Sequence, residues 1–230
     1  MSEHDKIVIL TGAGLSAESG LSTFRDEGGL WAQHRIEDVA TPDAFSKDPA
    51  LVLDFYNKRR AQAAAAHPNA AHYALADLQQ NHPGEVILIT QNVDDLLEKA
   101  GAQPIHMHGA LASALCFHCE NRWAFTGDMH QTTPCPACGR QTVRPDIVWF
   151  GEMPYCMDDI LTHLETCTLF ASIGTSGRVY PAAGFAQLAQ DIGAQTIELN
   201  MEATSPQFHA RRIGPATDTL PKWVSDLLQR

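Results

Sequence analysis

KIVILTGAGLSAESG, residues Lys6–Gly20, decides the fold. Lys6–Leu10 reads as a strand whose unbroken apolar run, Ile7–Leu10, is the pattern of burial on both faces of a parallel sheet. It runs straight into Gly12-Ala13-Gly14-Leu15-Ser16-Ala17, a G-x-G-x-x-A turn after which Ser16–Gly20 reads as the start of a helix. Glycines there permit a tight turn and let backbone approach a pyrophosphate, and a helix start presents N–H groups to an anion. A strand–helix turn without any ligand is the bland alternative. An acidic ribose partner about 20 residues on is not evident, so a dinucleotide would be held in a non-standard way.

The same grammar recurs along the chain. EVILIT (Glu85–Thr90), TLFASIG (Thr168–Gly174) and QTIELN (Gln195–Asn200) read as further strands, with helices over His72–Gln80 and Ala182–Ile192. Strands alternating with helices predict an α/β fold, a doubly wound parallel Rossmann-like sheet. Two blocks interrupt it: a helical stretch from Trp31 to about Asn69, entered at Thr41-Pro42, and a cysteine-rich stretch from Cys116 to Cys138. They predict a smaller domain over residues 32–70 and 112–144, a helical insertion plus a zinc ribbon. Residues 1–31, 71–111 and 145–230 then form the nucleotide-binding domain.

Composition narrows the partners. The 230 residues are 44% hydrophobic, enough for an ordinary core without disulfides, and carry 27 acidic against 16 basic groups, a formal charge of -11. That balance argues against direct nucleic-acid binding, which needs a basic face. The start MSEHDKIVIL has neither a basic, apolar leader nor an Arg-rich one, and no apolar run approaches the roughly 20 residues of a membrane span. A cytoplasmic location and no membrane partner are the expectations.

Four motifs carry chemistry besides the turn. Cys116, Cys119, Cys135 and Cys138 form two C-x-x-C knuckles fifteen residues apart, which can close a tetrahedral, structural Zn²⁺ site with no open position. Gln91, Asn92 and Asp94 follow a strand, at the carboxyl edge where open α/β sheets bind ligands. They could address ribose hydroxyls or a carboxamide, or merely cap a helix. His106 and His108 alternate before Gly109, so in extended chain both face one side, and an imidazole beside a sugar can take a hydroxyl proton. Tyr56 and Arg59 share a helix face and could grip a carboxylate, though an ordinary surface arginine would show the same spacing.

Together GAGLSAESGLSTFR, GLW, TQNVDDLLEKAG, HMHG, the four cysteines, RPDIVWFGE, GTSGRVYPAA, ELN and GPA resemble the sirtuins, the NAD-dependent protein lysine deacylases. They occur in the family's order from Gly12 to Ala216. The resemblance implies that Gly12, Ala13, Gly14 and Ser16 wrap the pyrophosphate, with Ala17 starting the helix beneath. It puts Thr23, Phe24 and Arg25 in the cofactor loop and Trp31 with the cofactor residues. Gln91, Asn92 and Asp94 then contact the nicotinamide ribose and carboxamide, Asn92 serving catalysis with His108, the general base. His106 receives no role. Gly174, Thr175 and Ser176 hold the adenosine side, and Asn200, Met201, Glu202 and Ala216 surround the adenine and its ribose. Val148, Phe150, Gly151 and Glu152 meet the substrate as an added strand, and Val179 joins them.

Ser22-Thr23 stands where many sirtuins read Pro-Asp, and this form is similar to the branch that prefers acidic acyl groups. Ala40, Tyr56 and Arg59 agree with it: a small residue leaves room, and the Tyr–Arg pair suits the carboxylate of succinyl- or malonyl-lysine. The implied activity is deacetylation plus desuccinylation or demalonylation, giving nicotinamide, O-acyl-ADP-ribose and free lysine. Mono-ADP-ribosyl transfer from the same NAD site and a non-catalytic NAD- or acyl-lysine-sensing module are the alternatives.

Overall fold

The computed structural model describes residues 4–229 except 22–33, so Thr23, Phe24, Arg25 and Trp31 lie outside the described residues. The chain runs β1 (Lys6–Thr11), α1 (Ile36–Val39), α2 (Pro42–Lys47), α3 (Pro49–Ala65), α4 (Ala70–Asn81), β2 (Glu85–Thr90) and α5 (Leu96–Lys99). It continues through β3 (Pro104–His106), β4 (Gly109–Cys116), β5 (Arg122–Ala124), β6 (Val143–Ile147) and α6 (Met157–Leu164). Then come β7 (Leu169–Ile173), α7 (Phe185–Asp191), β8 (Gln195–Asn200), β9 (Ala210–Ile213) and α8 (Ala216–Leu228).

Six strands form one sheet in the order β3-β2-β1-β7-β8-β9, every described pairing parallel. Chain order therefore reverses between β1 and β7, the switch point where a doubly wound sheet opens a crevice at its carboxyl edge. Both faces are covered, which is why the central strands are continuously apolar. Ile7, Ile9, Leu88, Ala171 and Leu199 pack with α4 and α8, including Leu75, Leu78, Trp223 and Val224. Val8, Leu10, Ile89 and Phe170 pack with α6 and α7 through Ile160, Leu164, Phe185 and Ala189.

A three-stranded antiparallel sheet, β5-β4-β6, carries the cysteine stretch. The expected boundaries at 111/112 and 144/145 fall inside β4 and β6. Leu53 of α3 joins Ala114, Cys116, Met129, Cys135 and Val143 in one cluster. A neighbouring cluster unites Val39, Ala40, Phe55, Tyr56, Ile147 and Trp149. No helix among the described residues is long and apolar enough to cross a membrane.

Two expectations change. After β1 the chain makes two 3-10 turns, Ala13–Leu15 and Ala17–Ser19, and Gly20 ends them at φ 84°, so no regular helix begins at Ala17. The segment Ala182–Ile192 divides into a 3-10 turn over Ala182–Gly184 and the shorter α7.

Candidate active site

The carboxyl ends of β1 and β7 meet backbone against backbone. A Cβ on Gly12 would lie 2.8 Å from the Gly174 oxygen, and one on Gly14 2.8 Å from the Gly174 Cα. Glycine is required here by protein packing before any ligand is considered. The contact is hydrogen-bonded as well: the amide of Gly12 donates to Ile173 at 2.9 Å and that of Gly14 to Gly174 at 2.9 Å. Leu15 and Ser16 donate back to Gly12 and Ala13. These four amides are engaged internally, so the turn offers fewer N–H groups to an anion than a helix start would.

Ser16 is the hub of a buried polar cluster. It is buried and its hydroxyl donates to Asp94 Oδ2 at 3.1 Å. The same oxygen accepts from Asn92 Nδ2 at 3.2 Å, and that amide also donates to the Gly12 carbonyl at 3.1 Å. Asp94 Oδ1 accepts from the amide of Leu96, the first residue of α5, at 3.2 Å, although the N-cap of that helix is Asp95. Burial pushes the Asp94 carboxyl up, against the pull of the Leu96 amide and the Ser16 hydroxyl. The structure thus gathers Gly12, Gly14, Ser16, Asn92 and Asp94 into one bonded cluster, joined to Gly174.

His72 and Asn69 complete that cluster, and sequence reasoning missed both. His72 is fully buried; its Nδ1 accepts from the Asn69 amide at 3.2 Å. Nε2 therefore bears the hydrogen and donates to Ser16 at 3.4 Å. Burial lowers His72 to about 4, so the ring is neutral. Asn69 Nδ2 donates to Leu15 and Ser19, locking the turn after β1 onto the start of α4. The available signal was the capping box, Asn69 with His72 at the third helical position.

His108 is half-buried, with Nδ1 3.2 Å from the Gln91 carbonyl. A carbonyl can only accept, so Nδ1 carries the hydrogen and Nε2 is the basic nitrogen of the neutral ring. Burial lowers its pKa, partly offset by that carbonyl. The His108 carbonyl accepts from Val148 at 2.9 Å, and the Ala40 carbonyl accepts from Phe150 at 3.0 Å. The Val148–Phe150 segment is thus seated between His108 and Ala40 of the helical module. Glu152 has a carboxylate already engaged: Arg144 donates to both oxygens at 2.7 Å and the Trp149 amide to one at 2.8 Å. Burial would raise Glu152, but Arg144 and that amide hold it low on balance.

Beyond the switch point, Asn200 Nδ2 donates to the Thr175 carbonyl at 2.7 Å, and Thr175 bonds Ser172 at 2.9 Å. Ser172, Thr175, Val179 and Gln91 help line a cavity of about 270 Å³. Met201, Glu202 and Gly151 are exposed, Ser176 is half-buried, and Ala216 opens α8. Glu18 ties that helix start to the turn after β1, accepting from the Thr217 amide and hydroxyl. Buried Tyr56 accepts from the Trp149 indole at 3.0 Å, and the Arg59 guanidinium lies 5.8 Å from its ring centre.

The four thiols of Cys116, Cys119, Cys135 and Cys138 lie within 4.8 Å of one another. Zn–S bonds of about 2.3 Å place tetrahedral sulfurs about 3.8 Å apart. The observed separations are 3.8 Å for Cys116–Cys138 and 3.6 Å for Cys119–Cys135. The donor set fits structural zinc, and four protein ligands leave no open position for substrate.

Residues 12–181 match the Sir2 family. The chain is 53% identical over 98% of both sequences to an NAD-dependent protein deacylase of Caulobacter vibrioides. It is 52% identical over 97% of both to one of Bdellovibrio bacteriovorus. Among solved structures, a Sir2 homologue–NAD complex superposes with a TM-score of 0.91 at 37% identity, covering 99% of this chain and 91% of that one. A mutant Sir2 homologue in complex with ADP-ribose gives 0.92 at 37%, covering 99% and 93%. The chain belongs to the Sir2 family.

Proposed function

We propose that this protein is an NAD-dependent protein-lysine deacylase acting on acetyl- and on succinyl- or malonyl-lysine. The observation that carries the reading is His108: a neutral imidazole, oriented by the Gln91 carbonyl, next to the Ser16–Asn92–Asp94 cluster at the β1/β7 switch point. A binding module needs no oriented base at that edge.

NAD supplies a ribose carbon from which nicotinamide, cationic while bonded, departs as the neutral base, and the substrate's acyl oxygen takes its place. In this reading Asn92 and Asp94 hold the nicotinamide ribose, and Gln91 addresses the ribose or carboxamide. His108 Nε2 accepts a proton from the ribose hydroxyls, which frees the 2′ oxygen to attack the acyl carbon. Water then adds to the acyl carbon as the lysine amine leaves and the bond to the captured oxygen breaks, so the products are nicotinamide, O-acyl-ADP-ribose and free lysine. Gly12, Ala13, Gly14, Ser16 and Ala17 line the pyrophosphate side, aided by Thr23, Phe24, Arg25 and Trp31. Gly174, Thr175, Ser176, Asn200, Met201, Glu202 and Ala216 take the adenosine side. The segment Val148–Glu152, with Val179, takes the substrate. Tyr56 and Arg59, beside Ala40, receive an acidic acyl end. Zinc holds the small sheet together, and its four thiolates suit a reducing, cytoplasmic compartment.

Mass spectrometry of products from NAD and a succinylated or acetylated peptide tests the proposal. O-acyl-ADP-ribose with unmodified lysine supports it; ADP-ribose attached to protein would replace it with ADP-ribosyl transfer.

A further inference from the structure

Of the two histidines before Gly109, the reaction above uses only His108. His106 ends β3, paired with Thr90 of β2, and its side chain is only 18% exposed. Both ring nitrogens face acceptors. Nδ1 lies 3.1 Å from the Asn92 carbonyl oxygen and Nε2 2.5 Å from Glu98 Oε1. Since the carbonyl cannot donate, Nδ1 carries a hydrogen, and the proton shared with Glu98 makes an imidazolium–carboxylate pair. Burial opposes that charge, but Glu98, the Asn92 carbonyl and Asp94 outweigh it, so His106 titrates above an ordinary histidine. His108, facing one carbonyl and, among the described residues, no carboxylate, titrates below. One motif holds a cationic ring and a neutral ring two residues apart.

The two rings also grip successive residues: His108 takes the carbonyl of Gln91, His106 that of Asn92. Glu98 sits on α5, at the far end of the segment carrying Asp94. His106 therefore ties Asn92 to α5 across that segment, while the Asn92 side chain reaches the other way to Gly12 and Ser16.

We infer that His106 is a positioning residue, acting through the Asn92 carbonyl to aim Asn92 and Asp94 at the nicotinamide ribose; this rests on the deacylase reading. Glu98 orients the ring and touches nothing in the reaction.

Two isosteric variants separate the ring's two bonds. His106→Asn keeps a donor near the Nδ1 position, and His106→Gln keeps one near Nε2. With NAD varied, His106→Asn should stay within about threefold of wild-type kcat/KM, whereas His106→Gln should lose about tenfold, the scale of one charge-assisted bond. The KM for acyl-peptide should not move in either, and both should share one Tm. Equal losses in the two variants, or losses that follow Tm, would overturn the inference. Should the wild-type protein release no nicotinamide, the deacylase reading fails on its own. Calorimetric ADP-ribose affinity then decides His106: weakening of about tenfold in His106→Gln alone supports the positioning role, and no difference between the variants removes it.

Discussion

The Trp149 indole donates to the Tyr56 hydroxyl at 3.0 Å, joining the loop after β6 to the middle of α3. This bond uses a lone pair of the phenol and leaves its proton to donate. Burial raises the Tyr56 pKa, so the phenol keeps that proton at neutral pH. The half-buried Arg59 guanidinium stands over the same ring, in the field of Asp94. Neutral donor and fixed cation together suit a carboxylate.

Arg59→Met should therefore cut desuccinylation about ten- to a hundredfold, from a charge-assisted bond of roughly 1.5–3 kcal/mol, and leave deacetylation within about threefold. Paired assays on succinyl- and acetyl-lysine peptides check this. Equal loss of both rates would deny Arg59 the role.

Burial depresses the His108 pKa, and the proposed role as general base needs its neutral form. Deacylation should thus hold through neutral pH and decline in acid with an apparent pKa below the ordinary 6.5. A kcat/KM profile against pH measures it, and a midpoint above 7 would point to another base.

His72 links pH to stability. Folded, it stays neutral down to about 4; unfolded, it protonates near 6.5. Its contribution is complete above pH 6.5 and is lost as the pH falls toward 4, about 3 kcal/mol in all. Urea unfolding at pH 7 and pH 4.5 should show a smaller acid loss in His72→Gln than in wild type. An unchanged difference would mean the ring is not held neutral.

Zinc removal should collapse the β5-β4-β6 sheet, because Cys116 and Cys135 are themselves part of its core. Metal analysis should find one zinc per chain, and chelation should abolish activity with a loss of near-UV ellipticity. Full activity without metal would contradict a structural site.

The central strands and the zinc knuckles were legible because their causes are local. Ile7–Leu10 and Val86–Ile89 are apolar on both faces, and the cysteines of each pair are separated by two residues. Edge strands β3 and β9 were not: Pro104–His106 has three residues, and Ala210–Ile213 includes Arg211 and Arg212, so neither bears a buried pattern. The turn after β1 read as helix because G-x-G-x-x-A specifies residue types, whereas Gly174 and Asn69, distant in sequence, shape it. His72 looked like an amphipathic-helix residue, since its bond to Ser16 spans 56 positions.

The most direct measurement is nicotinamide release by the zinc-loaded protein, with acyl-lysine peptide present or omitted and His108→Asn alongside. The account predicts release that requires the acyl group, matches free lysine mole for mole, and falls at least about a thousandfold in His108→Asn. Release without acyl-peptide, or undiminished in that variant, would contradict it.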